Sequence, residues 1–228
     1  MSHYVIVGDL ETGSLKAHAG ILSLSALGFD LDKFEQSANA FGAIARGERA
    51  YKEAVGCHQV FDFADQWLQG RLFDTSTQAW HVTKTTPEAK LAVTQGHTLL
   101  KEGLLAYLAF YQAVVEISET QAVPQYFRGW MDFEVLLDAW GQCGLTHPFR
   151  YNTPRDVRTY IDAKLDRHLG YVSELPRTLG VSSHSSLGDT LKDAAGMLVA
   201  YTAAKNGVDV ADTVERFIAY FNNIEDQA

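Results

Sequence analysis

The stretch Tyr4-Val5-Ile6-Val7-Gly8-Asp9-Leu10-Glu11-Thr12-Gly13-Ser14 carries most of what this 228-residue chain discloses about its fold. Tyr4 to Gly8 is short, β-branched and bounded by glycine, the composition of a strand buried on both faces. Asp9 and Glu11 follow at once. Residues two apart in extended backbone project to the same side, so both carboxylates leave the strand end together. Acids that close repel each other unless a cation lies between them. A turn with two solvated acids satisfies the same spacing, and the pair by itself leaves both readings open.

Working outward, Ile21-Leu22-Ser23-Leu24-Ser25-Ala26-Leu27-Gly28-Phe29 alternates apolar residues with serine or alanine and is expected to be the hairpin partner of the first strand. The two together open a mixed sheet. From Lys33 to Gln95 the pattern weakens, with two legible helix starts. Asp74-Thr75-Ser76 precedes Gln78-Ala79-Trp80-His81, and Thr86-Pro87-Glu88 offers a cap, a proline at the first helical position and an acid. A helix is predicted from Thr98 to Ile117, with Leu100, Leu104, Tyr107, Leu108 and Tyr111 on one stripe. A strand at Pro124 to Phe127 ends in Arg128-Gly129-Trp130-Met131. The next helix sets Phe133, Leu136, Leu137 and Trp140 on one face.

Pro148 to Pro154 reads as loop, Asp156 to Leu169 as helix, and Leu175 to Ser186 as loop again. Leu187 to Asn206 is predicted as a helix burying Leu191, Ala194, Ala195, Leu198 and Val199, with Gly207 as its stop. Val210 to Phe221 carries Val214, Phe217, Ile218 and Phe221 on one face and needs a partner for it. Packing against its own domain satisfies that need more simply than oligomerisation. No repeat, low-complexity tract or linker interrupts the chain, so a single α/β domain over residues 1–228 is expected, with 210–221 as a C-terminal helical extension.

Apolar residues make up 46% and charged residues 21% of the chain, the balance of an ordinary globular protein. No apolar run is long enough to span a bilayer. Met1-Ser2-His3 leads straight into a strand without a basic region or cleavage signal, so a cytoplasmic protein without membrane contact is expected. Cys57 and Cys143 stand far apart, form neither a zinc pair nor a disulfide framework, and are expected to be buried thiols. A net charge of −9 argues against coating nucleic acid through a broad basic surface, yet it permits a local grip on a strand end. No P-loop, GxGxxG, GxSxG or HExxH motif is present, which removes support for kinase, dinucleotide, serine-hydrolase and zinc-protease chemistry.

Two further acidic positions join the first pair. Asp132 opens the helix that begins its buried stripe at Phe133; the helix dipole favours an acid there whatever its role. Gly129 would let backbone pass close to a ligand, and a turn would use it as well. His184-Ser185-Ser186-Leu187-Gly188-Asp189 places a histidine five residues ahead of an aspartate that starts an amphipathic helix. Asp193 lies one turn beyond on the same face, so either aspartate could be a ligand.

Taken in order, a buried strand running into Asp-x-Glu-Thr, a strand-to-helix junction with Gly-x-x-Asp-Phe and a late His-x4-Asp resemble the three motifs of the DEDDh exonucleases. That group belongs to the ribonuclease H-like superfamily. The closest likeness is to the phage exonuclease A (DexA) type. Ser76-Thr77-Gln78-Ala79-Trp80 with Pro87-Glu88-Ala89-Lys90, Asn152-Thr153-Pro154-Arg155-Asp156-Val157-Arg158-Thr159, and His184 to Asp193 carry it. The likeness spans about Tyr4 to Tyr201. It implies a ribonuclease H-like mixed sheet flanked by helices, Asp9, Glu11, Asp132 and Asp189 as metal ligands, and His184 as general base. Asp193 is then left outside the ligand set. Gly8 departs from the bulkier residue usual before the first aspartate and implies a looser strand end.

The implied activity is a 3′→5′ exonuclease that hydrolyses phosphodiester bonds with two divalent cations. Ligation by oxygen alone suits Mg2+ or Mn2+. An imidazole titrates near neutral pH and can take the proton of the attacking water. Single-stranded DNA is the favoured substrate. An exoribonuclease acting on RNA ends or short oligoribonucleotides is the alternative within the same chemistry, and a non-catalytic nucleic-acid-binding module is the alternative outside it. Arg155 and Arg158 belong to the densest basic stretch, Arg150 to Arg167, and could touch phosphates. Trp80 could stack on a terminal base, although a tryptophan is more often part of a core.

Overall fold

Pairing with the following strand carries the opening strand further than its composition predicts. In the computed structural model, which describes residues 3–48, 54–182 and 184–222, strand β1 covers Tyr4–Thr12, so Asp9 and Glu11 lie within it. Met1 and Ser2 of the N-terminal reading, and Ser183 of the predicted loop, lie outside the described residues. Strand β2 (Ile21–Asp30) is antiparallel to β1, with Tyr4 opposite Asp30 and Glu11 opposite Ser23. A register shift between Glu11 and Thr12 then bends the end of β1.

Helix α1 (Phe34–Ala45) leads to β3 (Ala54–Val60), which pairs antiparallel with β2. Four helices follow: α2 (Phe63–Leu68), α3 (Thr75–Lys84), α4 (Pro87–Thr94) and α5 (Leu100–Ser118). Strand β4 (Gln125–Phe127) then runs parallel to β1 and feeds α6 (Met131–Gln142). Strand β5 (Pro154–Asp156) runs parallel to β4 and feeds α7 (Val157–Leu165). Helices α8 (Ser186–Asn206) and α9 (Val210–Phe221) close the described chain. The sheet order β3-β2-β1-β4-β5 makes this an α/β structure with a five-stranded mixed sheet flanked by helices.

Central position explains the apolar character of β1. Every residue from Tyr4 to Thr12 is buried, and the period-two alternation divides them between two cores. Tyr4, Ile6 and Leu10 face α5 and α6, where Leu104, Tyr107, Phe133, Leu136 and Trp140 receive them. Val5 and Val7 face the opposite core, built with Leu27 and Phe29 of β2 and with Leu191, Ala194, Ala195 and Leu198 of α8. Asp9 and Glu11 continue the row of Val5 and Val7. Both acids therefore point to the α8 side of the sheet.

The caps read from sequence act as expected at α4, where the Thr86 hydroxyl accepts from the Ala89 amide, and at α8, where left-handed Gly207 ends the helix. At α3, Asp74 occupies the cap position without a capping hydrogen bond and instead accepts from the Ser14 hydroxyl at 2.6 Å. Asp156 caps α7 through the Thr159 amide and hydroxyl, at 2.7 and 2.8 Å. On α9, Val214, Phe217 and Phe221 are buried against α1 and α8, which supplies the expected intradomain partner.

Four expectations need correction. Leu137 is exposed, because α6 turns Val135 and Ala139 inward instead. Cys143 is only half-buried, since it stands at the C-terminal end of α6, whereas Cys57 is buried within β3. The weak pattern after Lys33 conceals α1, β3 and α2. Gly8 does not loosen the strand end, for the Phe127 ring fills its space: a Cβ there would lie 2.7 Å from the ring and 3.1 Å from the Ser25 carbonyl oxygen.

Gly8→Val should therefore destabilise the fold by about 1–3 kcal/mol through overpacking, read as a lower urea midpoint. An unchanged midpoint would mean that the Phe127 ring moves aside without penalty.

Candidate metal centre

Two small side chains on β2 make room beside the acids of β1. Ser25 stands opposite Asp9 and Ser23 opposite Glu11, and cross-strand partners share a face. The Ser25 hydroxyl also fastens the start of α8: it lies 2.9 Å from the Ser186 hydroxyl and 2.7 Å from Nδ1 of His58, while Thr190 donates to the Ser25 carbonyl at 3.3 Å. Ser185 caps the helix by accepting from the Gly188 amide at 3.1 Å and donating to the Ser182 carbonyl at 2.7 Å. Gly188 is required there, since a Cβ would lie 2.2 Å from that carbonyl.

This anchoring sets Asp189, in the first turn of α8, against the acids of β1. One carboxylate oxygen from each of Asp9, Glu11 and Asp189 lies within 4.8 Å of the others. Asp132 approaches from the first turn of α6, after β4 has run parallel alongside β1, and is only 5% exposed. It is not part of the close triad, yet its charge acts on both Asp9 and Glu11.

Burial dominates the electrostatics. It raises Asp9 well above the usual carboxylate range, and Asp132, Glu11, Asp189 and Asp193 push in the same direction. Burial, then Asp189 and Asp132, lifts Glu11 to about 8. Asp132 rises to about 7 through burial and the charge of Asp193. Asp189 is also raised by burial, against opposing effects of His184, Arg128 and Lys192. Oxygen donors converging in so dry a place can hold a cation, and the charges left without one are costly.

Asp193 is engaged elsewhere. Arg128, at the end of β4, presents Nε and Nη2 to the two oxygens of the Asp193 carboxylate, with Nε to Oδ2 at 3.1 Å. Sequence reasoning passed over Arg128, because nothing local marks an arginine that finds its partner 65 residues away. Their pairing leaves Asp189 as the aspartate of α8 that joins the triad.

A cavity of about 390 Å3 opens beside Glu11, lined by Leu15, Ser76, Trp80, His81 and Met131 among others. Trp80 is 41% exposed on α3, which overturns the core reading. The core side of α3 is taken by His81, buried with Nε2 3.1 Å from the Thr12 carbonyl oxygen. His184 is exposed, has φ +59°, and meets Trp80 edge-on with ring centroids 5.2 Å apart. Its backbone and its charge favour the ionised form of Asp189, against burial. Arg155 and Arg158 are exposed at the β5–α7 junction; Arg158 lies over Gly129 and 3.6 Å from Asp156. No ion pair joins either arginine to the carboxylate cluster among the described residues.

Neither known family models nor curated proteins give a match to this chain. What the site can do rests on its geometry.

An acid whose pKa is higher in the folded chain than in the unfolded chain stabilises the fold while protonated, and that contribution disappears as pH rises to the folded value. For Glu11 the window runs from the ordinary 4.5 to about 8. Chelator-treated protein should therefore lose melting temperature between about pH 4.5 and about pH 8, and less steeply in Glu11→Gln. Added Mg2+ or Mn2+ should restore stability more at the higher pH. A melting temperature that rises across the window without metal would contradict the placement of these acids.

Proposed function

We propose that this chain is a metal-dependent 3′→5′ exonuclease of the DEDDh type on a ribonuclease H-like fold, acting on single-stranded DNA. The observation that carries the proposal is the convergence of carboxylate oxygens from Asp9, Glu11 and Asp189 within 4.8 Å, with buried Asp132 acting on Asp9 and Glu11. Sequence-distant stretches supply these acids, in the order that the family motifs require.

The donor set fits the implied ions. It consists of carboxylates, without the thiols or imidazoles that zinc more often recruits, and therefore suits Mg2+ or Mn2+. Asp9, Glu11, Asp132, Asp189 and Asp193 against Arg128 leave four negative charges when ionised, which two divalent cations would neutralise. Bound there, such ions supply Lewis-acid stabilisation of the charge that develops on the phosphoryl group.

The chain's own residues account for the remaining tasks. The cavity beside Glu11 is lined by Trp80 and Leu15, and the exposed Trp80 ring can take the terminal base by stacking. His184 is exposed, meets the Trp80 ring edge-on, and acts electrostatically on Asp189. In the proposed reaction its imidazole accepts the proton of the attacking water. The left-handed backbone at His184 is uncommon for a side chain with a Cβ, and strain of this kind gathers at functional positions.

Incubation with 5′-labelled single-stranded DNA and RNA of matched sequence, with Mg2+, Mn2+ or EDTA, tests the proposal. A metal-dependent ladder shortening from the 3′ end, absent in Asp9→Ala, is the expected result, with DNA the faster polymer. His184→Ala should lower kcat by about 10²–10⁴ while keeping the Mn2+-induced rise in melting temperature. Trp80→Ala should mainly raise KM, by roughly tenfold. Cleavage of neither strand with either metal would defeat the proposal and favour a binding module.

A further inference from the structure

The Arg128–Asp193 pair does more than remove one aspartate from the ligand set. Asp193 is 2% exposed and spends both oxygens on the guanidinium, while the Arg128 side chain is 35% exposed. A guanidinium carries five N–H donors in a fixed plane. Asp193 occupies the edge formed by Nε and Nη2. The remaining edge, formed by Nη1 and the second hydrogen of Nη2, has no hydrogen bond to any described residue. Geometry therefore fixes one edge of the plane and leaves the other open.

Arg128 stands near the carboxylate centre, since Asp193, which it grips, lies one helical turn from Asp189. Arg128 follows β4 directly, four positions ahead of Asp132, and its charge acts on Asp189 and interacts with Asp9. A planar, permanently charged fork matches the oxygens of a phosphate, and pre-orientation by a buried carboxylate reduces the entropy lost on contact. An arginine needed only to neutralise Asp193 could lie flat under protein. This one keeps about a third of its side chain exposed.

We infer that Arg128, aimed by Asp193, is a substrate-contacting residue whose open edge binds a phosphate oxygen of the strand end being cut. Asp193 is the positioning residue that holds the plane. The inference rests on the exonuclease reading and adds a fixed protein charge to the phosphate site of that centre.

Thymidine 5′-monophosphate in the presence of Mn2+ is the probe, used as a competitive inhibitor of strand hydrolysis and as a ligand in thermal shift. Two variants are compared with the intact protein. Arg128→Gln combined with Asp193→Asn removes both charges together, so that no buried carboxylate is left unpaired. Arg128→Lys keeps a cation beside Asp193 but has no planar second edge. The double variant should bind the monophosphate at least about tenfold more weakly, and the lysine variant several-fold more weakly. The Mn2+ concentration that half-saturates the thermal shift should change by less than about threefold in both.

Unchanged monophosphate affinity in a variant that still binds Mn2+ would overturn the role of Arg128. Loss of Mn2+ affinity in step with monophosphate affinity would overturn it too, by assigning the pair to shaping the carboxylate centre. Should the double variant fail to fold, the lysine variant decides by the same two measurements. Failure of the intact protein to bind Mn2+ or to cut any strand would instead sink the exonuclease reading, and is recognised before any variant is made.

Discussion

Carboxylates from separate stretches of chain meet at one end of the central strand with little water around them, and the repulsion of their charges constrains everything nearby. Asp9 and Glu11 cannot turn away, because the alternation that sends Val5 and Val7 into the α8 core sends them to the same side. Asp189 cannot retreat, because the start of α8 is fastened to β2 through Ser25, Ser186 and Thr190. The elevated pKa values of all these acids express that confinement. A fold that concentrates like charges in a dry place is less stable there than it would be with neutral residues, a common mark of a site kept for its chemistry.

Arg128 relieves the repulsion in part, and its limits are informative. Burial alone would pull its pKa down, yet the fork to Asp193 and the charges of Asp189 and Asp9 raise it above its ordinary value. Asp193 remains raised by burial in spite of that partner. One guanidinium thus satisfies one carboxylate geometrically and leaves the triad of Asp9, Glu11 and Asp189 without a cation of its own among the described residues. The same arrangement distinguishes two aspartates one helical turn apart, Asp189 grouped with Asp9 and Glu11 and Asp193 closed by its fork.

Aromatic packing and one buried arginine hold the surroundings of the centre. Phe127 fills the space over Gly8, and Phe73 packs against Gly13 and Gly20, where a Cβ would lie 2.3 and 2.0 Å away. Arg71, fully buried, donates to the Ala19 carbonyl at 2.8 Å and to Asp138 at 3.0 Å, tying the loop after β1 to α6. Helix α3 is held more lightly: His81 is its one buried residue among those described, and Trp80 stays half in solvent between His81 and His184. Firmly anchored acids thus stand beside a lightly held aromatic helix.

Period-two alternation, strand-bounding glycine and capping chemistry are local properties, and wherever they were strong the sequence alone located the element. The β1–β2 hairpin, α4, α5, α8 and α9 were legible on those grounds, as was the one-sided projection of Asp9 and Glu11. Between Lys33 and Val60 the local pattern is too weak, and α1 and β3 take their form from packing on α9 and pairing with β2. Trp80 looked like a core residue because tryptophan is apolar; only the tertiary position of α3, with His81 turned inward, leaves it exposed at the cavity. Asp189 and Asp193 have the same residue type and the same helical face, and in the sequence only the His184-x4-Asp189 spacing separates them. Their difference is decided by Arg128, which β4 delivers from 65 residues away, and long-range contacts of that kind leave no periodic trace in a single sequence.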